Sequence, residues 1–494
     1  MTTLLTPAPE ADVLGSSEQR PPSSSGPTFH RGRDWIRSLL ALLVLLGITA
    51  VVSAVLWPGL MNLNTLSDYR QARQADFWDW DSAIWVAIWR GLYVVGLRSP
   101  GWLFAGVVLL LLAGLYLILR ARLSRPWALA GAALVFVFPP VLSFSVVIGT
   151  GAWFLASIVC AFGFAARCAR TEGTDRTVSA VLAVAFAFLA EAARPTAAPA
   201  VFALLLALAF VMLEVLSSWR RMVAAAAVGV VGTILLAGTV VGVERFVLHA
   251  RVSHPEQVTY EYDLVALSIR EHQVMLPADV YGRQDPDYLQ QFAASYGGFL
   301  NIDPLLYGYR AAITPPPLTD ETVDGLQRAW LTSIDQHPYA YLQDRLHTAL
   351  WQLGILGPEL TVYYDAPSPK LFGPGPFPGP KNAVVAYTTL GTTDGNGGPL
   401  QAVWLYVVVL LFFTVFGLRG ARRTDVVLVL FSVGMLLFSA GVLFASPAVT
   451  YRYMHPAVTT GTVLFVLLAA AGMEWLWYRV SHSVPPLLQS ARGR

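Results

Sequence analysis

Charged residues are scarce in this 494-residue chain. Asp, Glu, Lys and Arg make up 13% of it, whereas a soluble domain usually carries about 25%. Because hydrophobic residues make up 55%, the chain has too little charge to cover a water-soluble globule of its size. Composition therefore predicts a polytopic membrane protein, not a soluble, fibrous or disordered one. The net charge of +2 indicates no nucleic-acid partner.

Cysteine and the motifs of soluble enzymes are also nearly absent. The two cysteines, Cys160 and Cys168, lie in one apolar run, about 12 Å apart on a helix, which is too far for a disulfide. The sequence has no metal-ligand spacing, P-loop, GxSxG, HExxH or dinucleotide fingerprint. The enzyme classes that these motifs mark are therefore excluded.

Long apolar runs predict ten membrane spans. These cover about 37–57, 101–119, 127–147, 151–167, 177–193, 197–216, 222–243, 401–418, 424–445 and 456–477. With the N-terminus inside, most arginines fall in inner connections, and the short outer connections carry only Arg194 and Arg452. The positive-inside rule therefore predicts that both termini are cytoplasmic.

The spans define the predicted domains of an all-α polytopic membrane protein. These are a disordered cytoplasmic tail (1–33), a seven-span module (34–243) that includes an outer loop (58–100), an extracytoplasmic segment (244–400), a three-span module (401–478) and a cytoplasmic tail (479–494).

Both outer regions are predicted to contain helices. In the outer loop, residues 81–97 are apolar but interrupted by Arg90, which suits a helix lying in the membrane interface. The extracytoplasmic segment is predicted to be mainly helical near 262–274, 285–296 and 320–354, with a kink or restart at His337-Pro338. Beyond Gly354 its Gly/Pro-rich stretches predict loop or linker.

The predicted spans carry almost no ionisable residue at their centres. Glu191, Glu214, Glu244, Asp425 and Glu474 all fall near span ends. An ion-coupled transporter usually needs such groups at the membrane midplane. Their absence disfavours a transporter and places the chemistry at the outer surface, where the polar side chains lie.

Four carboxylates follow the first predicted span, at positions 68, 76, 79 and 81, interleaved with aromatic residues such as Trp80. Aromatic faces stack on sugar rings and carboxylates accept hydroxyl protons. The loop therefore predicts a sugar site with Asp68 and Asp79 as its leading residues. Alternatively the carboxylates cap helices, and for Asp81 an N-cap is the preferred interpretation.

Basic residues near two other outer loops suit a phosphate. Arg194 lies between two spans, and Arg452 lies beside Tyr453 and His455 in the last outer loop. The alternative is that they snorkel to lipid headgroups within an aromatic belt. In the large segment, Trp330, Ile334, His337, Tyr341 and Arg345 share a helix face, for which a structural role is favoured.

Together these residues resemble the GT-C superfamily of integral-membrane glycosyltransferases, which use polyprenyl-phosphate sugars, and more closely a group of bacterial polytopic proteins of that type. In that group an Asp-x3-Gln sequence and an Asp-Trp-His turn follow the first span. Here Asp68 and Gln71 match with a shorter spacing, and Asp79-Trp80-Asp81 has Asp in place of His. Further similar motifs are Phe138-Pro139-Pro140, Arg194-Pro195-Thr196, Tyr262-Asp263-Leu264, His337-Pro338-x2-Tyr341-Leu342 and Arg452-Tyr453.

The resemblance implies an inverting transfer in which Asp68 is the general base on an acceptor hydroxyl and polyprenyl phosphate leaves. Asp79 is implied as a second carboxylate for base or metal, and Mg²⁺ or Mn²⁺ held by Asp68 and Asp79 is one alternative. The implied donor-phosphate contacts are Arg194, Arg345, Arg452 and His455. The implied substrate contacts are Gln71, Trp80, Asp263, His337 and Tyr453.

One departure from the family pattern and three alternative functions stay open. Relatives often carry a Lys-Asp pair after the Phe-Pro-Pro span, whereas this chain has Ile148-Gly149-Thr150-Gly151. The alternatives are a lipid-linked glycan transporter, a glycan polymerase or ligase, and a non-catalytic scaffold. The expected partners are a polyprenyl-phosphate-linked sugar, membrane lipids and an extracytoplasmic glycan, lipid or protein acceptor, at a bacterial plasma membrane.

Overall fold

The chain is helical throughout the part that the computed structural model describes, residues 28–214, 216–295, 299–307, 311–315, 317–357, 376–388, 398–420 and 422–483. Strand pairing in these ranges is limited to three isolated bridges. The first helix begins at Thr28, inside the predicted disordered tail. Residues 1–27 of that tail, and most of the predicted linker beyond residue 357, lie outside the described ranges. The fold is that of an all-α polytopic membrane protein, which confirms the predicted fold class.

Ten helices make up the N-terminal part. They are α1 (Thr28–Leu56), α2 (Leu63–Gln74), α3 (Ala83–Val94), α4 (Pro100–Leu119), α5 (Arg125–Val137), α6 (Pro139–Ser145), α7 (Thr150–Cys168), α8 (Gly173–Ala193), α9 (Ala198–Met212) and α10 (Ser218–Gly242).

Nine α-helices follow among the described residues. Six of these lie between α10 and the last group of long apolar helices: α11 (Gln257–Glu271), α12 (Pro286–Ser295), α13 (Asp303–Tyr307), α14 (Asp320–Gln336), α15 (Pro338–Gln352) and α16 (Pro378–Thr388). The last three are α17 (Val403–Phe416), α18 (Arg423–Ala445) and α19 (Tyr451–Ser483). Helix α16 was not predicted from its Gly/Pro-rich surroundings, and the restart predicted at His337-Pro338 separates α14 from α15.

Nine helices of the described chain are long and apolar enough to cross a membrane. The bent pair α5 and α6 makes a tenth when it is counted as one span, so the predicted number agrees. The span predicted over 127–147 is broken into two helices, which meet at 73°. The cause is Pro139, which lacks an N–H and pushes Phe138 into an extended conformation.

Helix α3 is short, and its tryptophans Trp85 and Trp89 are buried in protein. Only its end, at Val94 and Val95, is both apolar and exposed. The N-cap predicted at Asp81 is wrong. Ser82 caps the helix, because its hydroxyl accepts the Trp85 N–H at 3.1 Å, and Asp81 is left free for another role.

Two membrane helices, α4 and α7, approach closely through glycines. A Cβ on Gly114 would lie 2.7 Å from the backbone nitrogen of Cys160, and one on Gly163 would lie 2.8 Å from Leu117 Cβ. Only hydrogen at these positions lets the two backbones pack together. By contrast, a Cβ on Gly106 of the same α4 would meet nothing within 4 Å.

We predict that Gly114→Ala destabilises the protein by about 1–3 kcal/mol, because a backbone contact forces the helices apart. Thermal unfolding of the purified protein in detergent measures this. The matched control is Gly106→Ala, which gains helix propensity and has space, so it should unfold at or above the wild-type temperature. Equal behaviour of the two variants would contradict the close packing.

Candidate functional site

Two carboxylates meet beside the first outer loop. Helix α2, which begins with a capping box between Asn62 and Thr65, places Asp68 at 1% exposure. Asp81 stands just before the Ser82 cap and is partly exposed. Burial raises the pKa of Asp68 well above its usual value, and the charge of Asp81 raises it further. Burial and the neighbouring charge of Asp81 therefore favour the protonated form of Asp68.

Two arginines act on the exposed member of this pair. Burial raises the pKa of Asp81, and the charges of Arg452 and then Arg194 lower it. Arg194 ends α8 in an extended conformation, and Arg452 lies in the first turn of α19. Tyr453 joins them: its ring centroid lies 5.7 Å from the Arg194 guanidinium, and its hydroxyl accepts from Arg452 Nη2 at 3.0 Å.

These side chains form one cluster, whose members differ in exposure. Asp81, Arg194, Arg452 and Tyr453 are all partly exposed, whereas Asp68 is buried. We call this group the dyad crevice. It brings two carboxylates and two guanidiniums together, an arrangement that can accept a proton and bind an anion.

The glycines of the Ile148–Gly151 stretch give Arg194 its space. A Cβ on Gly151 would lie 2.9 Å from Arg194 Nη2. Thr65 Oγ1 donates to the carbonyl of Ile148, which ties this stretch to α2. The Ile148–Gly151 stretch is thus packed against Arg194, which follows α8. The sequence does not predict that Gly151 makes room for Arg194, because a glycine with this role belongs to no recognisable motif.

Aromatic rings cover the inner side of the dyad crevice. The centroids of Trp85 and Trp153 are 5.0 Å apart, and those of Tyr69 and Trp89 are 5.4 Å apart. The Trp85 indole N–H lies close enough to Asp68 to lower the pKa of that carboxyl, although the two groups do not form a hydrogen bond. Within the described chain, Asp68 Oδ1 and the indole nitrogens of Trp85 and Trp153 are buried without a hydrogen-bond partner.

Asp79, predicted as the second carboxylate, is engaged elsewhere. Its Oδ1 accepts from the backbone N–H and hydroxyl of Ser253 at 2.6 and 2.5 Å, and its Oδ2 pairs with Arg245 at 3.0 Å. Gln71, predicted to bind substrate, accepts the Trp78 N–H through Oε1 at 3.1 Å. These contacts fasten the first outer loop to the end of α10. Asp81, not Asp79, is therefore the carboxylate that acts on Asp68.

Arg345 is predicted to contact phosphate, and Asp263 is predicted to contact substrate. The two side chains form a buried ion pair in which each is 1% exposed. Asp263 also accepts from Trp330 Nε1 at 2.8 Å. Burial raises the pKa of Asp263, and the charge of Arg345 acts against that rise. Neither side chain belongs to the dyad crevice, and a phosphate would have to displace an existing carboxylate.

The remaining predicted residues lie in three different settings. His337 Nδ1 is 3.4 Å from Glu271. His455 is 2% exposed, and its Nε2 lies 2.8 Å from the carbonyl of Val141. Trp80 is partly exposed, next to Asp81 in sequence. Of the predicted set, the dyad crevice thus gathers Asp68, Arg194, Arg452 and Tyr453.

The segment between α10 and α17 holds the loop that leads to Arg452. Gln352 makes two bonds to the backbone of Thr450, donating from Nε2 at 2.6 Å and accepting at Oε1 at 3.1 Å. Arg345 Nη1 donates to the carbonyl of Ser446 at 2.8 Å. The Val449 N–H donates to the carbonyl of Leu300 at 2.8 Å. Residues 446–450 are thus fixed along their length, immediately before Tyr451 starts α19.

A divalent metal fits Asp68 and Asp81 better than the predicted Asp68 and Asp79. Both oxygens of Asp79 are already bonded, whereas Asp68 Oδ1 has no partner among the described residues. Those residues include no group of three or more His, Cys, Asp or Glu able to hold an ion. Two carboxylates are enough only for an ion that takes its other ligands from water and substrate phosphate, as Mg²⁺ does.

Comparison with known proteins yields a distant likeness. The structure is similar to the crystal structure of the Archaeoglobus fulgidus oligosaccharyltransferase in the apo form, with 12% sequence identity and a TM-score of 0.40. The match covers 90% of this chain and 52% of that one, so this chain spans about half the length of the protein it matches. No family model and no curated protein sequence matches the chain.

We predict that Arg345→Met destabilises the protein by about 3–5 kcal/mol, because it leaves Asp263 charged and unpaired in the interior. Detergent-solubilised thermal unfolding measures the loss. The double variant Asp263→Leu/Arg345→Met removes both charges and should recover much of that stability. A double variant no more stable than the single one would show that the buried charge is not the cause.

Proposed function

We propose that the protein is a membrane glycosyltransferase that moves a sugar from a polyprenyl-phosphate donor to an acceptor outside the cytoplasm. The observation that carries the proposal is the dyad crevice, in which a buried carboxylate and a partly exposed one stand together with two arginines. Its carboxylates suit an acceptor hydroxyl and its arginines suit a leaving phosphate.

A lipid-linked donor suits the position of the arginines. Arg194 directly follows the spanning helix α8, and Arg452 lies at the start of the spanning helix α19. Both guanidiniums are therefore at the end of the apolar bundle, the level of a lipid phosphate. The phosphate meets Arg194 and Arg452 while the sugar extends toward Asp81 and the aromatic rings.

The proposed step is a direct displacement with inversion. The acceptor hydroxyl oxygen forms a bond to the anomeric carbon while the bond from that carbon to the phosphate oxygen breaks. The hydroxyl proton passes to the ionised carboxylate of the pair, Asp81, and the bonding electrons leave on polyprenyl phosphate. Arg194 and Arg452 stabilise the charge that develops on the phosphate.

Asp68 serves this step as the partner of the base. Its proton bonds to Asp81 and keeps that carboxylate ionised, since the hydrogen bond from Asp68 lowers the pKa of Asp81. The base role predicted for Asp68 alone is thus assigned to the pair, which titrates as a unit. A divalent ion would bind the pair only in exchange for this proton, and it would then supply further positive charge to the donor phosphate.

We propose a bacterial plasma membrane as the location, with both termini cytoplasmic and the dyad crevice on the outer face. The acceptor is a cell-envelope glycan, lipid or protein. The support for sidedness is the arginine distribution, since the short connections on the crevice side carry only Arg194 and Arg452. These two arginines are the same ones that line the dyad crevice.

We predict that Asp81→Asn and Asp68→Asn each lower sugar transfer by about 10²–10⁴-fold, as loss of a general base does. Transfer is measured in membranes supplied with a panel of radiolabelled polyprenyl-phosphate sugars. The matched control is Asp76→Asn in the same loop. Asp76 pairs with Arg251 at 3.0 Å and accepts from Trp78 outside the crevice, so this variant should stay within a few-fold of wild type.

Each variant must be present at the wild-type level with the wild-type melting temperature. Transfer that survives in both Asp68→Asn and Asp81→Asn would contradict the proposed base. A wild-type protein that binds donor but transfers nothing to extracts of the outer envelope would favour the scaffold over the enzyme.

We also predict a pH signature for Arg452. Transfer requires ionised Asp81, so kcat/KM falls as the pH drops through the pKa of Asp81. Burial raises this pKa and Arg452 lowers it. Arg452→Gln should therefore move the acid limb of the profile to higher pH, whereas Arg452→Lys should keep it near the wild-type position. An acid limb that stays in place in Arg452→Gln would place the titrating group elsewhere.

A further inference from the structure

An apolar groove opens between α8, α9 and α10. It has a volume of about 510 Å³, and its lining includes Val181 and Val184 of α8, Leu205, Leu208 and Met212 of α9, and Val228 of α10. Val181 is 62% exposed and Met212 41% exposed. These helices are membrane spans, so the groove has the size and chemistry for a lipid chain.

One end of the groove carries a cluster of arginines. Its lining ends at Leu213, and Glu214 follows. Arg176 donates to Glu214 Oε1 at 2.7 Å, Arg423 lies 2.6 Å from Oε2, and Arg221 donates to the Glu214 backbone carbonyl at 2.9 Å. Two guanidiniums therefore share the Glu214 carboxylate, and a third bonds to the backbone of the same residue.

This cluster keeps a positive excess that a ligand can reach. The side chain of Arg423 is 50% exposed, and that of Arg176 is 19% exposed. The Nε atoms of Arg176 and Arg221 are buried without a hydrogen-bond partner in the described chain. The acidic residues Glu172 and Asp175 near the start of α8 are exposed to solvent.

The arginine cluster and the dyad crevice lie at opposite ends of one helix. Arg176 is in the first turn of α8 and Arg194 follows its last residue. The intervening eighteen residues span about 27 Å at 1.5 Å each, which is close to the thickness of a bilayer core. A phosphate at the arginine cluster therefore belongs to the other membrane leaflet from a phosphate in the dyad crevice.

We propose that this groove binds an anionic phospholipid. One acyl chain lies in the groove, and the phosphate contacts Arg176, Arg221 and Arg423. An anionic headgroup complements the positive excess, whereas a zwitterionic headgroup brings a cation of its own. The site is separate from the proposed transferase function and does not depend on it.

The test uses the full-length protein, purified in a neutral detergent and stripped of lipid. Its melting temperature is measured with phosphatidylglycerol, phosphatidylcholine or undecaprenyl phosphate at equal concentration. Phosphatidylglycerol should raise the melting temperature by several degrees and the other two by much less, because only a ligand of the native state stabilises it. Mass spectrometry of the untreated preparation should also find phosphatidylglycerol retained.

Two variants locate the site. Val181→Trp fills the groove from an exposed position and should abolish the phosphatidylglycerol shift. Arg221→Gln/Arg423→Gln should lower it by more than half. The controls are Val231→Trp, an exposed position of α10 outside the lining, and Arg125→Gln at the start of α5, and both should keep the full shift.

Three results would overturn the proposal. The first is an equal shift with phosphatidylcholine, which would mean that the headgroup is not recognised. The second is a phosphatidylglycerol shift that survives in Val181→Trp. The third is a shift with undecaprenyl phosphate that Val181→Trp abolishes, which would make the groove a prenyl-chain site.

Discussion

The burial of Asp68 beside Asp81 is the interaction on which the candidate site depends. A carboxylate at 1% exposure next to a second carboxylate is unfavourable unless one of them is neutral or a cation is near. Here both remedies are present, since burial and Asp81 favour the protonated form of Asp68 and two arginines act on Asp81. The arrangement costs stability, which is a reason to expect chemistry where it persists.

Two sets of contacts hold this arrangement in place from different parts of the chain. Asp79 fastens the loop between α2 and α3 to Arg245 and Ser253, which orients the segment that carries Asp81. On the other side, Gln352 and Arg345 of α15 hold residues 446–450 ahead of Arg452. The segment between α10 and α17 thereby sets the geometry of the dyad crevice, although the residues that line the crevice come from other helices.

Much of the fold could be predicted from the sequence, because hydropathy and length decide where a helix can cross a membrane. The break at Phe138-Pro139 was visible as a motif, but its 73° bend depends on packing that one sequence does not reveal.

The site was predictable only in part. Asp68, Arg194, Arg452 and Tyr453 were named from their positions at predicted span ends and in outer loops. Whether Asp79 or Asp81 is the second carboxylate of the site depended on which residue caps α3. The cap is Ser82, so Asp81 is not needed as the cap. Arg345 was misassigned because its partner Asp263 is remote in sequence.

The protonation of Asp68 is the property that tests this account most directly. Isotope-edited infrared difference spectroscopy of aspartate-labelled protein in membranes at neutral pH reports protonated carboxyl groups through their carbonyl stretch. The account predicts a protonated aspartate band that disappears in Asp68→Asn and persists in Asp79→Asn. A spectrum in which Asp68→Asn removes no such band would mean that Asp68 is ionised, and would contradict the shared-proton pair at the centre of the dyad crevice.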